Sequence, residues 1–278
     1  MSSAPGFKSF VVAARGNPGG ILSVHGDQLQ LDDAIVNLGT QGAIDHPGTA
    51  VDINVTGSFS MTHGTQIASS GFGTGRAGSI SVVAGKVVLG DDNPATSPDA
   101  SIGFHGNLAS RTFGAGRSGD IQITTPDLTV QNGFTVLTST GNNGLNQGDA
   151  GHVTVHADKL TILDGASTSS IGFGGIGSHG GTVDISSHDL FISEKNINTV
   201  PNFGFTGIAA QTGFGSKRGL LGWRPITFNC LTAAAFRPFC SARGPPPPSP
   251  GNRPRYSPGS AARRFRSLGW PGICCTRQ

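Results

Sequence analysis

The 278-residue chain is poor in several things at once: one Tyr, two Met and only 13% charged residues. That composition lacks the long, flexible and charged side chains that helices favour, and no 3.6-residue periodicity is visible, which excludes ankyrin-like or tetratricopeptide-like helical arrays. No segment approaches eighteen consecutive apolar residues, so no membrane span is expected. The apolar run Phe10 to Ala14 is too short for the h-region of a secretory signal and meets Arg15, so no signal peptide is expected either. Cysteine is absent from residues 1–216, which leaves that part without a disulfide framework or a thiolate metal site. Acidic residues are absent from 217–278.

What is abundant is glycine, 44 residues of it, and it recurs at a fixed place. After each of Gly20, Gly78, Gly119, Gly151 and Gly181, aliphatic residues follow two, four, nine and eleven positions later. They are Leu22/Val24/Leu29/Leu31, Ile80/Val82/Val87/Leu89, Ile121/Ile123/Leu128/Val130, Val153/Val155/Leu160/Ile162 and Val183/Ile185/Leu190/Ile192. A sixth, imperfect copy is read as Ile53, Val55, Phe59 and Met61, one residue shorter between its pairs. Alternation of apolar and polar residues, as in Ile121-Gln122-Ile123, predicts strands with one buried face. The segments between pairs, such as Thr124 to Asp127, are too short for a crossover helix and predict a corner between two strands. A third side is predicted at Gln66 to Ser70, Thr135 to Ser139, Ser167 to Ile171 and Ile208 to Thr212.

A coil of about thirty residues cannot bury its own apolar face, but coils stacked at the roughly 4.8 Å strand spacing bury a continuous aliphatic column. The predicted fold is therefore all-β, a parallel β-helix of about six coils over residues 1–215, with excess residues between Gly90 and Gly119 placed in a loop. A β-sandwich is the competing architecture, and the fixed spacing argues against it. Little caps the stack beneath Leu22, so the chain is expected to be a piece of a longer protein.

Residues 216–278 differ in kind. Residues 1–216 carry a net charge of −8 and all eight His, whereas 217–278 hold eleven basic residues, all four Cys and ten of seventeen Pro. Cys230, Cys240, Cys274 and Cys275 fit no zinc spacing. Because the periodicity stops after Gly215 and Arg, Pro, Gly and Ala take over, this tail is read as a wrong-frame extension, disordered or loosely attached. A basic arm for nucleic acid or membrane is the weaker reading, and no nucleic acid is expected as a partner.

Several motifs invite chemistry and are read as architecture. Three GxGxxG stretches, Gly73–Gly78, Gly114–Gly119 and Gly172–Gly177, run into strands instead of a helix, so they are turns and not dinucleotide sites. Phe72, Phe113, Phe173 and Phe214 each precede a Gly at a corner, where stacking outweighs a sugar platform. Asp32-Asp33 and Asp91-Asp92 are paired carboxylates at equivalent repeat positions, which favours turn capping over acid–base or calcium roles. His152 and His156 should project outward about 13 Å apart, too far to share a metal, as solvated surface residues. No residue is assigned as catalytic, cofactor-binding or metal-ligating.

The recurring text GRAGSISVVAGKVVL, GRSGDIQITTPDLTV, GDAGHVTVHADKLTI and GGTVDISSHDLFI resembles the repeats of filamentous-haemagglutinin-like exoproteins of the two-partner secretion type, over roughly residues 16–215. The resemblance implies a right-handed helix, export through an outer-membrane transporter, a secreted or cell-surface location and a non-catalytic adhesive role toward a glycan or a neighbouring cell. The alternative is a polysaccharide-acting, pectin-lyase-like enzyme on the same fold, which would need carboxylates and basic residues clustered on one face across adjacent coils.

Overall fold

The computed structural model describes residues 10–91, 106–140, 148–173, 178–194, 206–214, 222–223 and 226–230. Residues 1–232 form one compact unit, and the second unit, 233–278, lies outside the described residues. Two kinds of strand alternate along the first unit. Long ones are β5 (Thr49–Thr62), β7 (Ser79–Leu89), β9 (Ile121–Val130), β11 (Val153–Leu163) and β13 (Val183–Ser193). The first coil builds the same side from two strands, β2 (Leu22–Gly26) and β3 (Leu29–Asp32). Short strands follow each of these: β4 (Ala34–Thr40), β6 (Gln66–Gly71), β8 (Asn107–Thr112), β10 (Thr135–Thr140), β12 (Ser167–Phe173) and β14 (Gly207–Phe214). The short strands pair with one another in sheet A and the long ones in sheet B, each with its equivalent one coil away and all in parallel. Consecutive strands in each sheet are thus one turn apart, and about five turns separate β2 from β13: the chain is a β-solenoid.

The apolar pairs lie inside, in register. Ile80, Ile121, Val153 and Val183 share one column, and Val87, Leu128, Leu160 and Leu190 another. Each aliphatic side chain so buried contributes about 1.5–3 kcal/mol before the cost of ordering the chain. The expected corner between pairs falls within a strand and not between two. Ala157 points inward, Asp158 and Lys159 both face solvent, and Leu160 points inward again, so the pleat slips by one while the strand continues. The same slip occurs at Gly85-Lys86.

Three further expectations are corrected by the register. Val51 and Ile53, not Ile53 and Val55, stand beside Leu22 and Val24, and Phe59 and Met61 beside Leu29 and Leu31. The second coil is therefore longer between its pairs, and the additional residue is taken up near Gly57, whose N–H bonds Asp27 O at 2.8 Å. The predicted loop from Gly90 to Gly119 contains β8, a full member of sheet A. Finally, β1 (Phe10–Gly16) pairs with β4 and adds a strand of sheet A below the first coil. At the far end, past the expected limit at residue 215, β15 (Gly222–Trp223) pairs antiparallel with β14, and β16 (Ile226–Cys230) pairs with the first half of β13.

Sheet A is not an aliphatic wall. Every residue of β10 is buried, on both faces, and on the outward face Ala109, Leu137 and Ile171 form a second small apolar cluster with Phe173. Inward hydroxyls serve the corner that leads into sheet B. Ser110 accepts the Gly119 N–H (2.8 Å), Ser118 the Gly151 N–H (2.6 Å) and Ser170 the Gly181 N–H (2.8 Å). Gly78, Gly119, Gly151 and Gly181 stack as a column so close that a Cβ on any of the last three would be driven into the carbonyl oxygen of the glycine below. This close approach is why the repeat is anchored on glycine.

Candidate functional site: an axial groove and two polar corners

Where the pleat of sheet B slips, two outward residues in succession leave the strand's outer surface hollow. Stacked over four coils, the hollows make a solvent-facing groove of about 380 Å³. Its floor is small, formed by Ala84, Thr125, Ala157 and Ser187. One wall carries Val83, Thr124, His156 and Ser186, the opposite wall Pro126, Asp158 and His188. At the coil spacing of about 4.8 Å, four coils give the groove a length of roughly 14 Å along the axis. Val83 is 42% exposed and His156 is exposed, while His188 Nδ1 lies 3.4 Å from Asp158 Oδ1 across adjacent coils. Thr125 and Ser187 hydroxyls turn back to the carbonyls of Asp127 (3.2 Å) and Asp189 (2.8 Å).

The paired carboxylates sit at another corner, where sheet B passes into sheet A. In three coils this corner is a two-residue turn with both residues at positive φ: His63-Gly64, Asn132-Gly133 and Asp164-Gly165. Each is closed by an N–H to carbonyl bond, from Thr65 to Thr62, Phe134 to Gln131 and Ala166 to Leu163. Asp33 holds the equivalent position at φ 47°. Asp32 accepts from the Thr62 hydroxyl at 2.7 Å and bonds His63 Nδ1, and Asp91, buried, accepts the His63 N–H. The Thr62 hydroxyl and His63 hold the Asp32 carboxyl below its ordinary value against the opposing effect of burial. His63 is raised, first by its bond to Asp32 and then by the charges of Asp91, Asp32 and Asp33, burial acting against them. Registers align Asp33 with Asp91, so the two Asp pairs are offset by one residue, and Asp92 lies outside the described residues. Asp32 and Asp91 thus serve the Thr62–His63 turn of the coil between them, Asp32 through side chains and Asp91 through the backbone, where capping of each pair's own turn at equivalent positions was expected.

The corner leading into sheet B holds a third polar group. Asp120 Oδ2 accepts from Arg76 at 2.6 Å and Oδ1 from Arg117 at 3.1 Å and from the His152 N–H at 2.8 Å. His152 is half-buried, and its Nδ1 accepts the Thr182 N–H at 3.0 Å, which corrects the expectation of a solvated residue. His156 is exposed as expected and belongs to the groove. The first two GxGxxG stretches are stacked repeat turns, and part of the third, residues 174–177, lies outside the described residues. Phe72 and Phe113 stack at 5.4 Å and 11°, with Arg15 over Phe72 at 5.1 Å. Phe173 packs on the outward cluster of sheet A.

Among the described residues no group of three or more His, Cys, Asp or Glu is arranged to hold a metal ion, and no helix is long and apolar enough to cross a membrane. Comparison with protein-family models, with curated proteins and with solved structures finds no match. The groove was not foreseen from the sequence, because its walls come from polar positions that vary from coil to coil. The slip at Asp158-Lys159 was the available signal.

Proposed function

We propose that the chain is a structural and adhesive solenoid module of a secreted, filamentous-haemagglutinin-like exoprotein, and that it holds a linear glycan in the axial groove without cleaving it. The observation that carries this reading is the groove itself: a shallow trough along the stack, with apolar surfaces at Val83 and Pro126 beside hydroxyls and an imidazole at Thr124, Ser186 and His156. Sugar rings present apolar faces and hydroxyl edges, and a trough offering both in successive coils suits a chain of them. Hydrolysis of a glycosidic bond calls for two carboxyl groups across the bond. The groove lining has one, Asp158, beside His188, which favours binding over the pectin-lyase-like alternative.

The test is a glycan array probed with the purified chain, followed by titration of the best binder against wild type, Val83→Asp and His156→Ala. Both substitutions are on exposed outward positions and should leave the melting temperature unchanged while weakening binding roughly tenfold or more, about 1.4 kcal/mol. Product assays on polygalacturonate, with and without calcium, should stay flat. Release of reducing ends or unsaturated products, lost in Asp158→Asn, would establish the enzyme instead.

A further inference from the structure

The charges around the groove narrow the kind of glycan it can hold, an inference that rests on the glycan reading above. Of the lining residues only Asp158 carries a carboxylate, and none is Lys or Arg. That carboxylate is engaged from the coil above by His188 Nδ1 at 3.4 Å. Just outside the Asp158 wall, the next outward column sets Asp127, Lys159 and Asp189 in register, so this lysine is flanked by a carboxylate on either side. Lys86 continues the column below, one position before Val87 as Asp127 is one before Leu128. Outside the opposite wall stand the uncharged Ser81, Gln122 and Thr154, and then Asp184. Carboxylates thus outnumber ammonium groups, Asp127, Asp158, Asp184 and Asp189 against Lys86 and Lys159. A chain of uronates or sulfated sugars would bring negative charge to nearly every ring, give up water there and find no free cation in exchange. A polycation would meet a single carboxylate inside the groove, already engaged by His188.

The spacing narrows the class again. Parallel ladders set each coil about 4.8 Å above the last and hold equivalent positions in line, as at Thr124, His156 and Ser186. A β-1,4-linked pyranose chain is a nearly straight ribbon that advances by about one ring length per sugar, close to that coil spacing. Successive rings can therefore meet successive coils in the same way. An α-1,4-linked chain curls and leaves the register after a ring or two. We propose that the groove binds a neutral β-1,4-linked glycan, one ring to a coil, holding about three rings along its length of roughly 14 Å.

Titration calorimetry of the full-length chain at neutral pH with cello-, manno- and xylo-oligosaccharides of two to six rings tests this. At least one series should bind, with affinity rising up to three or four rings and then levelling. Salt raised to about 0.5 M should leave that binding unchanged. Maltohexaose, hexagalacturonate and the glucosamine hexamer should each bind at least tenfold more weakly than the hexamer of the binding series. Asp158→Lys, at a side chain 73% exposed, should leave the melting temperature unchanged and improve hexagalacturonate binding at least threefold. Equal or tighter binding of any of the three control hexamers, affinity still climbing at six rings, or no gain of hexagalacturonate in Asp158→Lys would overturn the proposed specificity. A best ligand outside the neutral β-1,4 class that is still lost in Val83→Asp would overturn the specificity and leave the groove a glycan site. No glycan bound at all would overturn both.

Discussion

Gly151 concentrates the physics of the repeat in one residue. Its N–H bonds the Ser118 hydroxyl, its carbonyl takes bonds from Thr138 and Ser170 at 2.8 Å each, and its missing Cβ makes room for the Gly119 carbonyl below. A methyl group here has nowhere to go, because its nearest neighbours are the carbonyl oxygen and carbon of Gly119, which are backbone and cannot swing aside. Gly151→Ala should therefore cost about 2–4 kcal/mol in chemical denaturation. Gly26→Ala is the matched control: nothing lies within 4 Å of its would-be Cβ, and the change should stay within about 0.5 kcal/mol. Equal midpoints for the two variants would mean the glycine column does not hold the coils together.

At the scale of elements, neighbouring coils are stitched through contacts between side chains. Among the described residues four His–Asp contacts join neighbouring coils: His25–Asp52, His63–Asp32, His179–Asp149 and His188–Asp158. For the second of these the pH dependence has a definite sign. His63 is raised from 6.5, so its contribution is present below about 6.5 and is lost as pH rises through the raised value. Asp32 is lowered from 3.8, so its contribution is present above about 3.8 and is lost as pH falls through the lowered value. The stability deficit of Asp32→Asn should thus be largest between those limits and shrink on both sides. Because the two side chains are 55% and 42% exposed, it should stay below about 1 kcal/mol. Thermal melts of both proteins from pH 3 to 9 measure it, and a deficit that grows steadily toward alkaline pH would refute the assignment. The long strands were legible because aliphatic residues must recur where columns stack, as at Ile121 and Val153. Those of sheet A were half legible: β8 and β10 bury polar Ser110 and Thr138 against backbone, and a buried hydroxyl with a partner leaves no hydrophobic trace. The groove and corner clusters were illegible, since His156 and His63 acquire meaning only from residues about thirty positions away.

For the whole molecule, stacking means that no coil is stable alone and that each is guarded by its neighbours. The turn at Asn132-Gly133 converts that dependence into chemistry. An asparagine followed by glycine is prone to lose ammonia when the glycine nitrogen attacks the side-chain carbonyl carbon, closing a ring that water reopens to aspartate or isoaspartate. In the fourth coil both reactants are tethered. The Asn132 amide donates to Asp91 O in the coil below, and the Gly133 N–H donates to Asp164 O at 2.9 Å in the coil above. The pair can react only when those neighbours part, so the peptide should age far more slowly in the native chain than alone in buffer. Mass spectrometry of protein stored for weeks, with sub-denaturing urea added to a parallel sample, should find deamidation at Asn132 rising in step with opening of the stack. A native rate equal to that of the free peptide would place this corner outside the protected solenoid. Otherwise the residue keeps time, recording in its covalent structure how often the middle of the molecule has come apart.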